Sequence, residues 1–253
     1  MPRELRVIAL PGIPEVTQGA SLIDLLLAAT ARINTPLQPN DIFVLAQKIV
    51  SKAEGRKIAL AGITPSMRAQ SIANEAHKDP RIVELMLRES IKVLRVKPGI
   101  IITEHKLGFI MANAGIDQSN LPGGDDAVLL LPQDPDASAR QLRDEIRDRM
   151  GMDVGVLIID SFGRAWRQGV TGTAIGVAGL PALVDQRGNQ DREGRVLKVT
   201  QVAAADELAA AASLVMGQAD EGTPAVLVRG FHYARRESSV QELIRPEAED
   251  LFR

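Results

Sequence analysis

The chain has 253 residues, a formal net charge of −2 and no cysteine. This length fits one large domain or two interleaved small ones. The lack of cysteine excludes disulfides, thiolate metal centres and a cysteine nucleophile. The balanced charge argues against nucleic acid or an anionic membrane as the main partner. An aromatic content of 3% also leaves little material for a platform on which bases could stack.

The sequence contains no targeting or membrane-spanning signal. The first six residues are not followed by the apolar region of a secretory signal. The longest weakly polar stretch, 170–184, is too short to cross a bilayer and contains Pro181. We therefore expect a cytoplasmic protein with neither a membrane nor a nucleic acid as partner.

Turn and capping signals divide the first half of the chain into short elements. Ser21-x-x-Asp24 is a capping box, and Thr64-Pro65 and Asp79-Pro80 are typical helix starts. Strands are predicted at 5–10, 42–50, 100–103 and 109–112, a polar turn at 51–56, and helices after Ser21, at 66–76 and at 81–89.

The second half alternates less regularly. Strands are predicted at 129–131, 154–159, 196–202 and 225–228, and helices at 137–149 from Ser138-x-x-Gln141, at 203–216 and from about 238 to Pro246. Glycines at 169, 172, 176 and 179 predict close backbone packing. This order excludes a regular βαβ repeat and predicts an α+β fold with mixed β-sheets and flanking helices.

The most informative stretch is the apolar run 154–159 with the polar residues that follow it. An unbroken apolar run predicts a buried strand, with Asp160 at its tip. A carboxylate that can hold a metal, beside Arg164 and Arg167 that can hold phosphate, indicates phosphoryl chemistry. The alternative is that Asp160 only begins a turn and the arginines are solvated.

Several common site motifs are absent. The sequence has no P-loop, no G-x-G-x-x-G and no G-x-S-x-G, and its three histidines lack metal-ligand spacing. Asp117, Asn120 and Asp160 remain, each predicted in a loop after a strand, with Lys52 as a candidate phosphate contact. Two such carboxylates could hold one or two divalent cations that bridge phosphate oxygens.

Four strings, occurring in order, carry a resemblance to a known family. They are Ser51-Lys-Ala-Glu-Gly-Arg56, Asn113-Ala-Gly-Ile-Asp-Gln-Ser-Asn120, Leu-Leu-Pro-x-Asp-Pro-Asp at 130–136, and Asp160-Ser-Phe-Gly-Arg-Ala-Trp-Arg167 with Ala174-Ile-Gly176. Together they resemble the coenzyme F420-0:L-glutamate ligase (F420 gamma-glutamyl ligase) family over about 10–230. The chain is identified as the stand-alone form, one domain over 1–253 with two intertwined subdomains.

The resemblance implies a reaction and its components. Members are GTP-dependent ligases that join L-glutamate to the lactyl phosphate side chain of an 8-hydroxy-5-deazaflavin, F420-0, through an acyl phosphate. GDP and phosphate leave, and one or more glutamates are added. Members use Mg²⁺ or Mn²⁺, in some cases with K⁺, and form intertwined homodimers.

The resemblance also implies the residues of the site. The positions that match nucleotide-contacting segments are Ile13, Pro14, Glu15, Val16, Ala46, Gln47, Lys52, Asn120, Met216, Gly217, Gln218, Ala219, Asp220, Glu221, Gly222 and Thr223. Asp117 and Asp160 match the ligands of one metal, and Ser161 and Gln218 those of a second. We assign catalytic roles to Asp117, Asp160 and Arg164.

Two positions depart from the archaeal members. Those carry Thr where Ser161 stands, which keeps the hydroxyl, and Glu where Gln218 stands. An amide oxygen is a poorer ligand for a hard cation than a carboxylate. Two alternatives therefore remain open from the sequence: a related metal-dependent amide ligase or phosphotransferase with another acceptor, and a non-catalytic nucleotide-binding or assembly protein.

Overall fold

The structure, a computed structural model, describes residues 4–119 and 126–250. The helices of this part are α1 (Leu22–Arg32), α2 (Gln47–Ala53), α3 (Met67–Ala76), α4 (Pro80–Glu89), α5 (Pro135–Met150) and α6 (Ala204–Met216). Its strands are β1 (Arg6–Ala9), β2 (Ile42–Ala46), β3 (Lys57–Ala59), β4 (Ser90–Lys97), β5 (Ile100–His105), β6 (Ile110–Ala112), β7 (Ala127–Leu129), β8 (Gly155–Arg164), β9 (Arg167–Ala178), β10 (Val184–Asp185), β11 (Gln201–Val202) and β12 (Ala225–Arg229).

A five-stranded mixed sheet forms the centre of the fold. Its order is β1-β12-β2-β8-β9, in which only β2 and β8 run parallel. Residues 42–45, 155–159 and 225–228 are all buried, as their unbroken apolar sequence requires. The predicted α+β fold with mixed sheets is confirmed.

Helices α5 and α6 pack on this sheet with unusually close backbones. A Cβ atom at Gly172 would lie 2.3 Å from the carbonyl oxygen of Ala209 in α6. A Cβ at Gly176 would lie 2.5 Å from backbone atoms of Pro135 in α5. The expected close packing is confirmed there and at Gly179, whereas Gly169 meets no atom within 4 Å among the described residues.

A second hydrophobic cluster lies outside the five-stranded sheet. It is formed by α3, α4 and residues of the β4-β5-β6 sheet and the β3-β7 pair. Its buried members are Leu60, Ala69, Ala73, Ala76, Ile82, Val83, Leu85, Met86, Ile101, Ala114, Val128 and Leu130. The larger cluster joins the five-stranded sheet to α1, α2, α5 and α6. The intertwined subdomains remain a prediction.

Local capping signals were informative where the cap residue has a short polar side chain. Ser21 accepts the Asp24 N–H at 3.3 Å and Asp79 accepts the Arg81 N–H at 2.8 Å, as expected. The cap of α3, however, is Ser66 rather than Thr64, because the Ser66 hydroxyl accepts the Ala69 N–H at 3.2 Å.

Helix α5 begins two residues earlier than predicted. Its cap is Asp134, which accepts the Ala137 N–H at 2.9 Å, and Pro135 opens the helix. Ser138, which was expected at the start of a helix over 137–149, lies within its first turn and donates to Glu54 at 2.5 Å. Gly151 closes the helix in a left-handed conformation, as expected.

Three other predictions were wrong in extent or type. The strand predicted to reach residue 50 ends at Ala46, and α2 takes its place, with Gln47, Val50 and Ser51 buried at the i, i+3 and i+4 positions of one helix face. Of the strand predicted over 196–202 only Gln201–Val202 forms. The helix predicted from about 238 is two 3-10 turns, Val240–Leu243 and Glu247–Glu249.

One further strand prediction is displaced along the chain. Strand β7 covers Ala127–Leu129, two residues before the predicted 129–131. Leu130 and Leu131 are nevertheless buried, since they continue into the core after the strand ends. Across the described ranges, the structure has no helix long and apolar enough to cross a membrane.

Candidate active site

A cavity of about 450 Å³ opens where β2 ends, beside the middle of β8. Every described residue that was expected to contact a nucleotide lines it: Ile13, Pro14, Glu15, Val16, Ala46, Gln47, Lys52, Met216, Gly217, Gln218, Ala219, Asp220, Glu221, Gly222 and Thr223. Asn120, the remaining one, lies outside the described residues. The volume is in the range of small-molecule sites in proteins.

The sheet register explains why distant parts of the sequence meet here. Ala46, the last residue of β2, pairs with Ile159 of β8. Gln47 and Lys48, which open α2, therefore lie beside Asp160 and Ser161, and all four line the cavity. Parallel neighbours in a sheet bring such strand ends to one edge, where ligands commonly bind.

Asp160 lies within β8 and not at its tip, which corrects the predicted location. The strand continues to Arg164 because it pairs with β9 as a long hairpin. Burial raises the pKa of Asp160 to about 6, and the nearby charge of Asp117 adds to this effect. The two carboxylates are therefore near enough for their charges to interact.

Asp117 is held by backbone pairing and by contacts with Lys48 and Ser119. Its N–H and C=O pair with Leu129 of β7 at 3.0 and 2.8 Å. Lys48 Nζ lies 2.6 Å from Asp117 Oδ2, and the Ser119 N–H donates to Oδ1 at 2.7 Å. Burial opposes the charge of this carboxylate, but these hydrogen bonds outweigh it and lower the pKa of Asp117.

Lys48 was missed by the sequence analysis. Its segment was interpreted as the continuation of β2, which hid its helical relation to Lys52, one turn later in α2. Both lysines line the cavity, and Lys52 Nζ lies 2.7 Å from Glu15 Oε1. Recognising the helix would have placed Lys48 on the same face as the expected phosphate contact.

Ser161 and Gln218, the residues expected at a second metal, do meet. The Ser161 hydroxyl donates to Gln218 Oε1 at 2.9 Å across 57 residues of sequence. Both line the cavity. The pair offers a hydroxyl and an amide oxygen, which are weaker ligands for Mg²⁺ than carboxylates are.

The loop after α6 folds around a carboxylate of its own. The Ala219 N–H donates to Glu221 Oε2 at 2.8 Å. This backbone hydrogen bond, followed by those of Glu221 and Gln218, lowers the pKa of Glu221. Gly217 has a φ of 76°, and a Cβ there would lie 2.0 Å from the Glu221 carboxyl carbon. The Ala219 N–H at the cavity wall is thus already bound to a carboxylate of the same loop.

Arg164 stands apart from this cavity. It is exposed near the end of the β8–β9 hairpin, where its guanidinium donates to the Gln168 carbonyl at 3.3 Å. It is not among the residues that line the cavity. Its catalytic role remains a prediction.

The donor set fits a divalent cation that is completed by a ligand. In the part of the chain that the structure describes, no three histidine, aspartate or glutamate side chains gather as a metal site. Mg²⁺, however, is usually held by one or two carboxylates together with substrate phosphates. Asp117 and Asp160, with an ammonium group already beside the first, match that arrangement.

Comparison with known proteins identifies the family. The model of the F420-0:gamma-glutamyl ligase family matches residues 12–230. The chain belongs to the F420-0:gamma-glutamyl ligase family. A coenzyme F420:L-glutamate ligase of Methanopyrus kandleri is 47% identical to it over 253 residues, which cover 98% of each chain.

Other relatives extend the same pattern. The coenzyme F420:L-glutamate ligase of Methanothermobacter thermautotrophicus is 45% identical, covering 98% of this chain and 99% of the relative. That of Haloarcula marismortui is 43% identical, covering 98% and 96%. The resemblance stated from the sequence motifs is confirmed. Every residue that lines the cavity lies within the matched region, 12–230.

Proposed function

We propose that this chain is a coenzyme F420-0:L-glutamate ligase that uses GTP and Mg²⁺ or Mn²⁺. The observation that carries the proposal is the cavity, whose wall collects every described residue expected to contact the nucleotide, together with Asp160. Membership in the ligase family and nearly full-length relatives named for that activity support the same conclusion.

The proposed reaction takes place in two steps. A carboxylate oxygen of F420-0 attacks the γ-phosphorus of GTP, forming an acyl phosphate as GDP leaves. The amine of L-glutamate then attacks the acyl carbon, phosphate leaves with the bond electrons, and the amine loses its proton as the amide forms. The net products are the glutamyl amide, GDP and phosphate.

The chain's own residues supply charge and position. Asp117 and Asp160 would hold the cation, with Ser161 and Gln218 as candidate ligands of a second, in some members accompanied by K⁺. When bound, the cation offsets the charge of the transferring phosphoryl group. Lys52 would contact phosphate as a point charge.

The proposal is tested by product formation. The protein is mixed with F420-0, L-glutamate and Mn²⁺, with GTP, ATP or no nucleotide, and the products are followed by mass spectrometry. The expected result is an added glutamyl unit with GTP only, and repeated additions would give longer tails. Nucleotide turnover without that product would favour an amide ligase or phosphotransferase with another acceptor. The absence of both nucleotide turnover and the glutamyl product would refute the proposal.

We further propose that the protein acts as a homodimer. We name residues 160–173 of the β8–β9 hairpin the arm. Strand β2 pairs with β8 only as far as Ile159, while β8 and β9 continue to pair out to Arg164 and Arg167. Trp166 at the tip is 87% exposed and Val170 55%. Exposed large apolar groups on an extended hairpin favour a partner surface.

A further inference from the structure

Lys48 joins the two halves of the candidate site. Its ammonium group lies 2.6 Å from Asp117 Oδ2 and also donates to Ser119 Oγ at 2.6 Å. Its side chain lines the cavity beside Asp160, and its positive charge acts on that carboxylate too. A single ammonium group thus stands beside both carboxylates that are expected to bind a cation.

We propose that Lys48 is a displaceable counter-ion of the metal site: it holds Asp117 while no divalent cation is bound, then yields that carboxylate and turns to the nucleotide phosphates. This inference rests on the proposed metal- and nucleotide-dependent function. It assigns a positioning role to a residue that neither the motifs nor the family resemblance singled out.

Electrostatics favours Lys48 at Asp117 when no cation is bound, and favours its release when a cation binds. Asp117 and Asp160 repel one another in a partly buried site, and one ammonium offsets one of the two charges. The remaining negative charge still attracts a divalent cation. A cation bound to Asp117 would in turn repel the ammonium at the same oxygen, so the two cannot share it.

The position of Lys48 on α2 allows it to move without a change of backbone. It lies in the first turn of the helix, on a flexible four-carbon stem, with side-chain exposure of 28%. Lys52 lies one turn later on the same cavity wall. A released Lys48 ammonium would therefore join Lys52 at the phosphate groups of a bound nucleotide.

A purely structural ion pair is the competing explanation. Such a pair, open to solvent on one side, contributes little to folding. It would also give a different pattern on mutation, because loss of a structural contact would loosen Asp117 and weaken every ligand. The exchange model instead predicts effects of opposite sign on metal and nucleotide.

The test uses calorimetric titration of the full chain with Mn²⁺ and with a non-hydrolysable GTP analogue. Without nucleotide, Lys48→Met is expected to bind Mn²⁺ about tenfold more tightly, because the competing charge is gone. At saturating Mn²⁺ the same variant is expected to bind the analogue about tenfold more weakly, because a phosphate contact is gone.

Two matched variants separate the exchange from a general change of charge. Lys52→Met removes the same charge from the same helix, but from the ion pair with Glu15, and is expected to change the Mn²⁺ affinity by no more than about twofold. Lys48→Arg keeps the counter-ion and is expected to bind Mn²⁺ no more tightly than the wild type. If Lys48→Met does not fold, Lys48→Gln, which retains a donor for Ser119, takes its place.

The outcomes separate the role of Lys48 from the metal-dependent function on which it rests. Unchanged or weaker Mn²⁺ binding by Lys48→Met, with wild-type binding intact, would overturn the counter-ion role and leave the ligase proposal standing. A wild-type chain that binds no Mn²⁺, with or without the nucleotide analogue, would overturn the metal-dependent function on which that role rests.

Discussion

The pKa values of two neighbouring aspartates, Asp117 and Asp160, are shifted in opposite directions. Asp160 has a pKa raised to about 6 by burial, whereas hydrogen bonds from Lys48 and Ser119 overcome burial and lower the pKa of Asp117. Both are ionised at neutral pH, and one of them is poorly compensated within the described residues. Such a pair is typical of a cation site and is costly for a scaffold alone.

Asp160→Asn is expected to abolish turnover while the fold survives. The amide keeps the shape of the side chain but loses the charge that would hold the cation, so product formation should fall by at least about a hundredfold. The melting temperature without metal should stay the same or rise, because a buried ionised group is removed. Asp117→Asn should likewise abolish turnover.

The control for this pair is Asp185→Asn on the surface. Asp185 forms an exposed ion pair with Arg187 and does not line the cavity. Turnover by this variant should equal that of the wild type. Full turnover by Asp160→Asn or Asp117→Asn would contradict the assignment of these carboxylates.

His105 should make the fold sensitive to acid. Burial lowers the pKa of His105 to about 4, and its Nε2 has no hydrogen-bond partner among the described residues. Between pH 6.5 and 4 the unfolded chain takes up a proton that the folded chain does not, so stability falls as the pH falls. From pH 7 to 5 this costs about 2 kcal/mol.

Urea unfolding at the two pH values measures this contribution. In His105→Gln the amide oxygen can still accept the Leu107 N–H, which reaches His105 Nδ1 at 3.0 Å, but nothing titrates in that window. The loss of stability on acidification should therefore be smaller in the variant than in the wild type by about 2 kcal/mol. An equal loss in both proteins would contradict a buried neutral histidine.

At the scale of elements, the fold depends on glycines that let helices reach the sheet. Gly176→Ala is expected to lower the unfolding free energy by about 3 kcal/mol, because its Cβ would lie 2.5 Å from the backbone of Pro135. Thermal or urea unfolding measures the change. Gly163→Ala is the control, since a Cβ there meets nothing within 4 Å among the described residues. Equal stability of both variants would contradict close packing of α5.

Local chemistry explains which elements were predictable. The caps at Ser21 and Asp79 and the close contacts at Gly172 and Gly176 each report on a few neighbouring atoms, and these predictions were confirmed. The boundary between β2 and α2 was not predicted, because an apolar run followed by Ile49 and Val50 suits a buried strand or a helix equally well.

Convergence in space was less predictable than the elements themselves. Ser161 and Gln218 are 57 residues apart, and only the family resemblance, not their spacing, paired them. The Lys48 contact with Asp117 depends on a helix that the sequence analysis placed in a strand. Sequence patterns report local conformation, whereas a site depends on the sheet register that joins distant strands.

At the scale of the whole molecule, the arm is expected to mediate dimer formation. Light scattering after gel filtration should give twice the mass of one chain, and Trp166→Ser should shift the protein towards monomer, because a large apolar contact is lost. Met67→Ser is the control, since Met67 is equally exposed, at 88%, but lies on α3. A monomeric wild type, or a Trp166→Ser dimer of unchanged strength, would contradict this role.

The backbone at the arm tip adopts a conformation that the tight turn between Arg164 and Arg167 requires. Trp166 has a φ of 64°, a conformation that bulky side chains rarely adopt. Strain of this kind persists where the surroundings or a partner impose it. The conformation of Trp166 is compatible with the proposed contact between chains at the tip.

Trp166 is the only tryptophan in the chain. Indole emission will therefore report the environment of the hairpin tip and carry little information about the hydrophobic interior. A fluorescence melting curve of this protein is therefore expected to follow local changes at that tip and to begin before the loss of circular dichroism. If the proposed dimer forms, the same property provides a label-free signal for its dissociation, because uncovering the indole would shift its emission to longer wavelength.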